Sequence, residues 1–81
     1  MRKYQEEIYS AIKNNRDWAG SNVVISTKNR ITRVYFYGHK IAVINHIEKT
    51  ATFDNCGYNK ACTTARLNAI KMACDDLGYK Y

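Results

Sequence analysis

Arg33-Val34-Tyr35-Phe36-Tyr37-Gly38-His39-Lys40-Ile41-Ala42-Val43-Ile44 is the stretch that decides the fold. β-Branched and aromatic residues crowd both sides of one glycine, which reads as two strands joined by a tight turn. With Gly38-His39 as a two-residue turn of type II′, glycine first, Tyr37 pairs with Lys40. Counting back, Phe36 faces Ile41 and Val34 faces Val43 on one side of the hairpin. Tyr37, Tyr35 and Arg33 then share the other side with Lys40, Ala42 and Ile44, because side chains alternate strictly along a strand.

Working outward, the same strand composition recurs at residues 23–27, 31–37, 40–47 and 50–55, separated by turn residues. This pattern predicts an antiparallel meander of four strands. In the last hairpin, a two-residue turn at Glu48-Lys49 sets Phe53 beside Ile44. A three-residue turn that includes Thr50 sets it with Val43 in the core, and this second register is the preferred one. Residues 14–22 read as a loop carrying Trp18, the only tryptophan. Residues 2–14 predict a helix, with Tyr4, Ile8, Ala11 and Ile12 on one face. After Gly57 the helical period returns. Thr63 is the expected N-cap, Leu67, Ile70, Cys74 and Leu77 form an apolar stripe flanked by Ala69 and Ala73, and Gly78 closes the helix in the left-handed conformation. The expected architecture is α+β in the order α-β-β-β-β-α, a single domain over residues 1–81, with both helices on the Val34/Phe36/Ile41/Val43 face.

At 81 residues the chain is one domain with a thin core. A dinucleotide-binding α/β sheet would need about twice the length. Thirteen Lys and Arg against seven Asp and Glu give a net charge of +6. Residues 1–40 hold eight cations and three acids, and residues 41–81 hold five and four, so the first half carries the excess and attracts an anionic partner. No apolar run approaches the ~18 residues of a membrane span, and the acidic start after Tyr4 does not suit a secretory peptide. Cys56, Cys62 and Cys74 lack the spacing of a disulfide framework, which points to a reduced, intracellular setting. Their spacing is also wrong for a zinc module, even with His39 and His46 added, so no metal or other cofactor is expected. A Cys56–His46 nucleophile pair can be drawn, but nothing supplies a third group or an oxyanion site, and the chain is read as a non-enzyme.

The ordered string Trp18-x-Gly20-x-Asn22, Val34 to Ala42, Asp54-x-Cys56-Gly57-Tyr58 and Thr63-Thr64-x-Arg66-Leu67-Asn68-Ala69 resembles a widespread group of small tailed-phage proteins. His39 stands where that group more often has Asn, and Tyr58 where it has Trp. The likeness spans roughly residues 18–70 and leaves out the N-terminal helix. It implies a phage-encoded protein acting in a bacterial cytoplasm, an accessory or host-takeover factor such as an anti-CRISPR-like inhibitor of defence. It assigns no catalytic residues.

With both helices on one side, Arg33, Tyr35, Tyr37 and Lys40 are left on the open side of the sheet, with Lys28 and Arg30 at its rim. Tyrosines interleaved with cations suit single-stranded nucleic acid, since rings stack on bases and cations meet phosphates. The same face equally suits a protein partner, a second copy of the chain, or plain solvent. A second candidate is the Thr63-Thr64-x-Arg66 helix start, where backbone N–H groups, hydroxyls and a guanidinium could hold a phosphate-like anion. There Arg66 is alternatively an internal brace paired with Asp54. Asn68 could tie down the Asn55–Tyr58 loop, and Trp18 and Tyr58 cover the ends of the core. The leading expectation is a non-enzymatic module that binds a host protein or nucleoprotein through Lys28, Arg30, Arg33, Tyr35, Tyr37 and Lys40, with no membrane partner. Direct single-stranded nucleic-acid binding and anion binding at Thr63, Thr64 and Arg66 are the alternatives.

Overall fold

The computed structural model describes residues 2–54 and 61–81. The elements are α1 (Lys3–Lys13), β1 (Trp18–Gly20), β2 (Val23–Lys28), β3 (Ile31–Phe36), β4 (His39–Asn45), β5 (Thr50–Phe53) and α2 (Ala61–Leu77). The strands form one sheet in chain order, every pair antiparallel, so β3 lies at its centre. The α+β meander with a helix at each end is as expected, but it has a fifth strand. Trp18, Ala19 and Gly20, read from sequence as loop, pair with Ile25, Val24 and Val23. Three residues are too few to show an alternation, and register against β2 makes them a strand.

Three successive two-residue turns, Ser21-Asn22, Asn29-Arg30 and Tyr37-Gly38, hold both central residues at positive φ. This is the type I′ signature, whose twist matches that of the flanking strands. Tyr37-Gly38, not Gly38-His39, is therefore the turn of the deciding hairpin, and Phe36 pairs with His39 and Tyr35 with Lys40. A bulge follows. Val34 pairs with Ala42 and Arg33 with Val43, leaving Ile41 as the extra residue on β4. Ile41 and Ala42 are consequently both buried, as is Ile44. Ala42 and Ile44, expected on the open side, thus belong to the core, and Val43, expected in the core, faces outward between Arg33 and Thr52. The last hairpin also differs from the expected three-residue turn. Its loop covers residues 46–49, held by Asn45 Oδ1 accepting from the N–H groups of Ile47 and Glu48 (both 3.0 Å). Phe53 does reach the core side, but opposite Ala42.

Ile8, Ala11 and Ile12 of α1 and Ala69, Ile70, Ala73 and Cys74 of α2 join Val23, Ile25, Val34, Phe36, Ile41, Ala42, Ile44 and Ala51 in one core cluster, so both helices shelter the same side of the sheet. Small residues at 11, 69 and 73 let the helices approach closely. Gln5 Nε2 donates to the carbonyl of Ala65 (3.0 Å), and the Tyr9 hydroxyl donates to Asp76. The stripe on α2 is rotated from the expected one: Leu67 and Leu77 are only half-buried. The helix opens at Ala61, which puts Thr63 inside the first turn instead of at the N-cap. Gly78, at φ +76°, ends α2 as expected, its N–H bonded to Asp75 O (3.1 Å) and that of Tyr79 to Cys74 O (2.9 Å). The tail then covers the edge of β5: Lys80 O accepts from Ala51 N–H at 2.8 Å, and Lys80 N–H donates to Lys49 O at 3.0 Å.

Candidate binding face

Strand alternation and the observed registers determine what faces away from the helices. Three rows cross the sheet: Ala19, Val24, Tyr35 and Lys40; Ser26, Arg33, Val43 and Thr52; Lys28, Ile31, Asn45 and Thr50. Lys28, Arg33 and Lys40 are cations, and no acid occupies any of these strand positions. Val24 is 49% exposed beside the half-buried Tyr35. Two acids stand just beyond the edge strands. Asp17, just before β1, accepts from Thr27 N–H through its carboxylate (2.8 Å), and Asp54 follows β5 with its N–H on Ile41 O (2.8 Å). Beside the bulge, Lys40, Val43, Thr52 and Asp54 line a shallow open depression of about 290 Å³.

Of the residues expected to bind a macromolecule, Lys28, Arg33, Tyr35 and Lys40 share this face. Arg30 and Tyr37 lie in the turns at opposite ends of β3, so Tyr37 stands at the rim and not on the face with Tyr35, as the type II′ register required. Tyr37 is 63% exposed yet held in place. Its hydroxyl accepts from Asn22 Nδ2, its N–H donates to Asn22 O (both 3.0 Å), and its ring lies 4.6 Å from that of Phe36. Arg30 is fixed by its carbonyl, which accepts from His46 N–H at 3.0 Å.

At the start of α2, Arg66 is only 8% exposed. Its guanidinium carbon lies 4.6 Å from the ring centres of both Tyr4 and Phe36, and Nε and Nη2 donate to Ser21 O at 3.3 and 3.0 Å. One cation thus joins α2 to α1, to the core strand and to the first turn of the sheet, which is a bracing arrangement. Thr64 is exposed, as is Asn68. The Thr63 side chain, Cys56, Tyr58 and the Asn55–Tyr58 loop lie outside the described residues. Trp18 packs against the core, its ring so close to Gly20 that a Cβ there would stand 2.9 Å from it.

Sequence reasoning missed one polar feature. Thr27 Oγ1, Thr32 Oγ1 and His46 Nε2 form a chain (2.8 and 2.7 Å), and His46 Nδ1 continues it to the Tyr79 hydroxyl (2.9 Å). Burial pushes the His46 pKa below its ordinary value. Two threonines facing each other across a hairpin were the available signal, but the histidine and tyrosine are distant in sequence. Cys74 is fully buried, and burial pushes its thiol up to about 11, far from nucleophilic. Among the described residues no three His, Cys, Asp or Glu side chains gather as a metal site, and no helix is long and apolar enough to cross a membrane.

Compared with known proteins, the chain matches the family model described as Kyanoviridae Gp96 protein over residues 1–80. That span takes in α1, which the motif resemblance left out. No curated protein and no solved structure matches the chain.

Proposed function

The chain belongs to the Kyanoviridae Gp96 family, a phage protein family, and from that premise we propose that it is a non-enzymatic accessory protein that binds a host nucleoprotein through the open face of its sheet. The observation that carries this reading is the one-sided charge of that face, with Lys28, Arg33 and Lys40 on outward strand positions that hold no acid. Cations so arranged concentrate a positive potential and draw an anionic partner at low salt. The finer form of the reading is an inhibitor of a defence complex in the host cytoplasm, in the manner of an anti-CRISPR.

The test is affinity capture from host lysate with the full chain and with Arg33→Glu/Lys40→Glu, read by mass spectrometry with nuclease-treated and untreated arms. A ribonucleoprotein or deoxyribonucleoprotein recovered by the parent chain and lost with the double variant supports the reading. Lys13→Ala, on the exposed side of α1, serves as a control that leaves capture intact. Equal recovery by the parent and the double variant, with both folded by circular dichroism, refutes it.

A further inference from the structure

Resting on that reading, we infer that the open face contacts single-stranded nucleic acid directly, with one base stacked on Tyr35 and the backbone running along β3 past Arg33, Lys28 and Lys40. β3 is the middle strand, so a chain laid along it has sheet on both sides. From Arg30 to Tyr37 the strand and its turns span about 23 Å at ~3.3 Å per residue, room for several nucleotides. Along that line a cation and an aromatic ring alternate on the same side, Arg33 and then Tyr35, with Lys28 and Lys40 one strand away to either side.

Two features favour a single strand over other anions. Tyr35 stands opposite the exposed Val24, so the cations border an apolar patch. A phosphate alone has no use for such a patch, and a duplex hides its bases from it, whereas an unpaired base offers a flat apolar ring. The second feature is the excess of cations at strand positions of the face, its two neighbouring acids, Asp17 and Asp54, standing just beyond the edge strands. A protein partner must satisfy its own lysines and arginines somewhere, and this face offers them only Asp17 and Asp54 at its margins. A sugar–phosphate backbone carries no cations and needs none.

Fluorescence anisotropy tests this with the full chain and labelled oligo-dT and oligo-rU of about 12 nucleotides, within the range of known single-strand sites. Binding of at least one of the two is expected, with a log K against log salt slope near −2, about −0.7 for each of three phosphates. Tyr35→Ala should weaken binding at least about fivefold and leave the slope unchanged. Tyr35→Phe should bind like the parent, and Arg33→Ala should reduce the slope by about 0.7. Which of the two oligonucleotides binds more tightly identifies the strand as DNA or RNA. Absence of binding by folded protein, full binding by Tyr35→Ala, or equal competition by a duplex of the same length overturns the inference. If the face variants still lose the captured host complex while no oligonucleotide binds, the partner is contacted through its protein and only this inference fails. If capture is also indifferent to those variants, the underlying reading falls with it.

Discussion

Thr32→Val is the sharpest probe of what holds the sheet to its C-terminal tail. Thr32 is fully buried on the helix side of β3, and its hydroxyl bonds both Thr27 Oγ1 and His46 Nε2. Valine keeps the shape and the β-branch, so packing is preserved and only the hydrogen bonds go. Two such bonds are worth about 1–3 kcal/mol in total, and the His46 nitrogen is left without its partner in a half-buried position. Valine's greater hydrophobicity returns part of this, so the expected net cost is about 2 kcal/mol. Unfolding entropy of ~2.1 cal/mol/K per residue gives roughly 0.17 kcal/mol/K for this chain, so Tm should fall by about 10–12 °C. Melting followed by circular dichroism measures it. The discriminating control is the same substitution in a His46→Phe background, where one of the two bonds is already absent. There the cost should drop by at least about 0.5 kcal/mol, the coupling expected of contacting residues. A Tm within about 2 °C of the parent, or an equal cost in both backgrounds, would refute the account of the chain from Thr27 to Tyr79.

The remaining predictions concern the same core and the turns. His46 is held neutral by burial, its folded pKa below the unfolded value near 6.5, so the unfolded state takes up the proton first. Stability should be full above pH 6.5 and fall as pH drops through 6.5 toward the lower folded pKa; the Tm advantage of the parent over His46→Gln should narrow between about pH 7 and 5.5, and a constant difference would reject this. Arg66→Lys should lower Tm by about 10 °C, because an ammonium cannot reproduce both the fork on Ser21 O and the planar contact with Tyr4 and Phe36; a loss below about 2 °C would show that the brace needs only charge. Arg30→Asn places a residue tolerant of left-handed backbone at φ +61° and should raise Tm by about 4–8 °C while weakening capture of the host complex; an unchanged or lower Tm would count against strain at this turn.

Periodicity made most of the fold legible. α1 and the rest of the meander follow from clean helical and alternating patterns, and Gly78 from its place after an apolar stripe. Register was less visible at β4, for a physical reason. Residues 41–44 read Ile-Ala-Val-Ile, apolar on both sides, so alternation cannot say which of them face the core. The position of the turn had to decide, and one glycine serves both a type II′ turn with glycine first and a type I′ turn with glycine second. Tyr37 at φ +52° was the unexpected choice, and the bulge at Ile41 then shifted the pairing once more. Because Lys40 precedes the bulge and Arg33 and Tyr35 lie on the partner strand, the open face kept these expected residues even though Val43 changed sides. The His46 chain was illegible because it joins residues 33 apart in sequence, His46 and Tyr79, that no local pattern relates.

The departures from local preference fall in the turns and loops that join the elements. Positive φ at Asn15, Ser21, Asn22, Asn29 and Gly38 falls on small or turn-forming residues, whereas Arg30, Tyr37 and Lys49 carry long or bulky side chains into the same conformation at roughly 1–2 kcal/mol each. For a domain of this size, whose whole stability is of order 4–12 kcal/mol, that is a large sum to leave unrecovered. Asn or Gly at any of the three positions would remove its share without touching the core. Arg30 and Tyr37 sit at the ends of β3, bracketing Arg33 and Tyr35, and all three residues are fixed by backbone bonds, Arg30 and Lys49 through their carbonyls and Tyr37 through its N–H. Local sequence and fold disagree most at functional sites, where side chains are chosen for what they present and not for the backbone beneath them. Two of the three strained positions therefore lie on the line that the cationic face marks along β3, and the third, Lys49, lies in the β4–β5 loop.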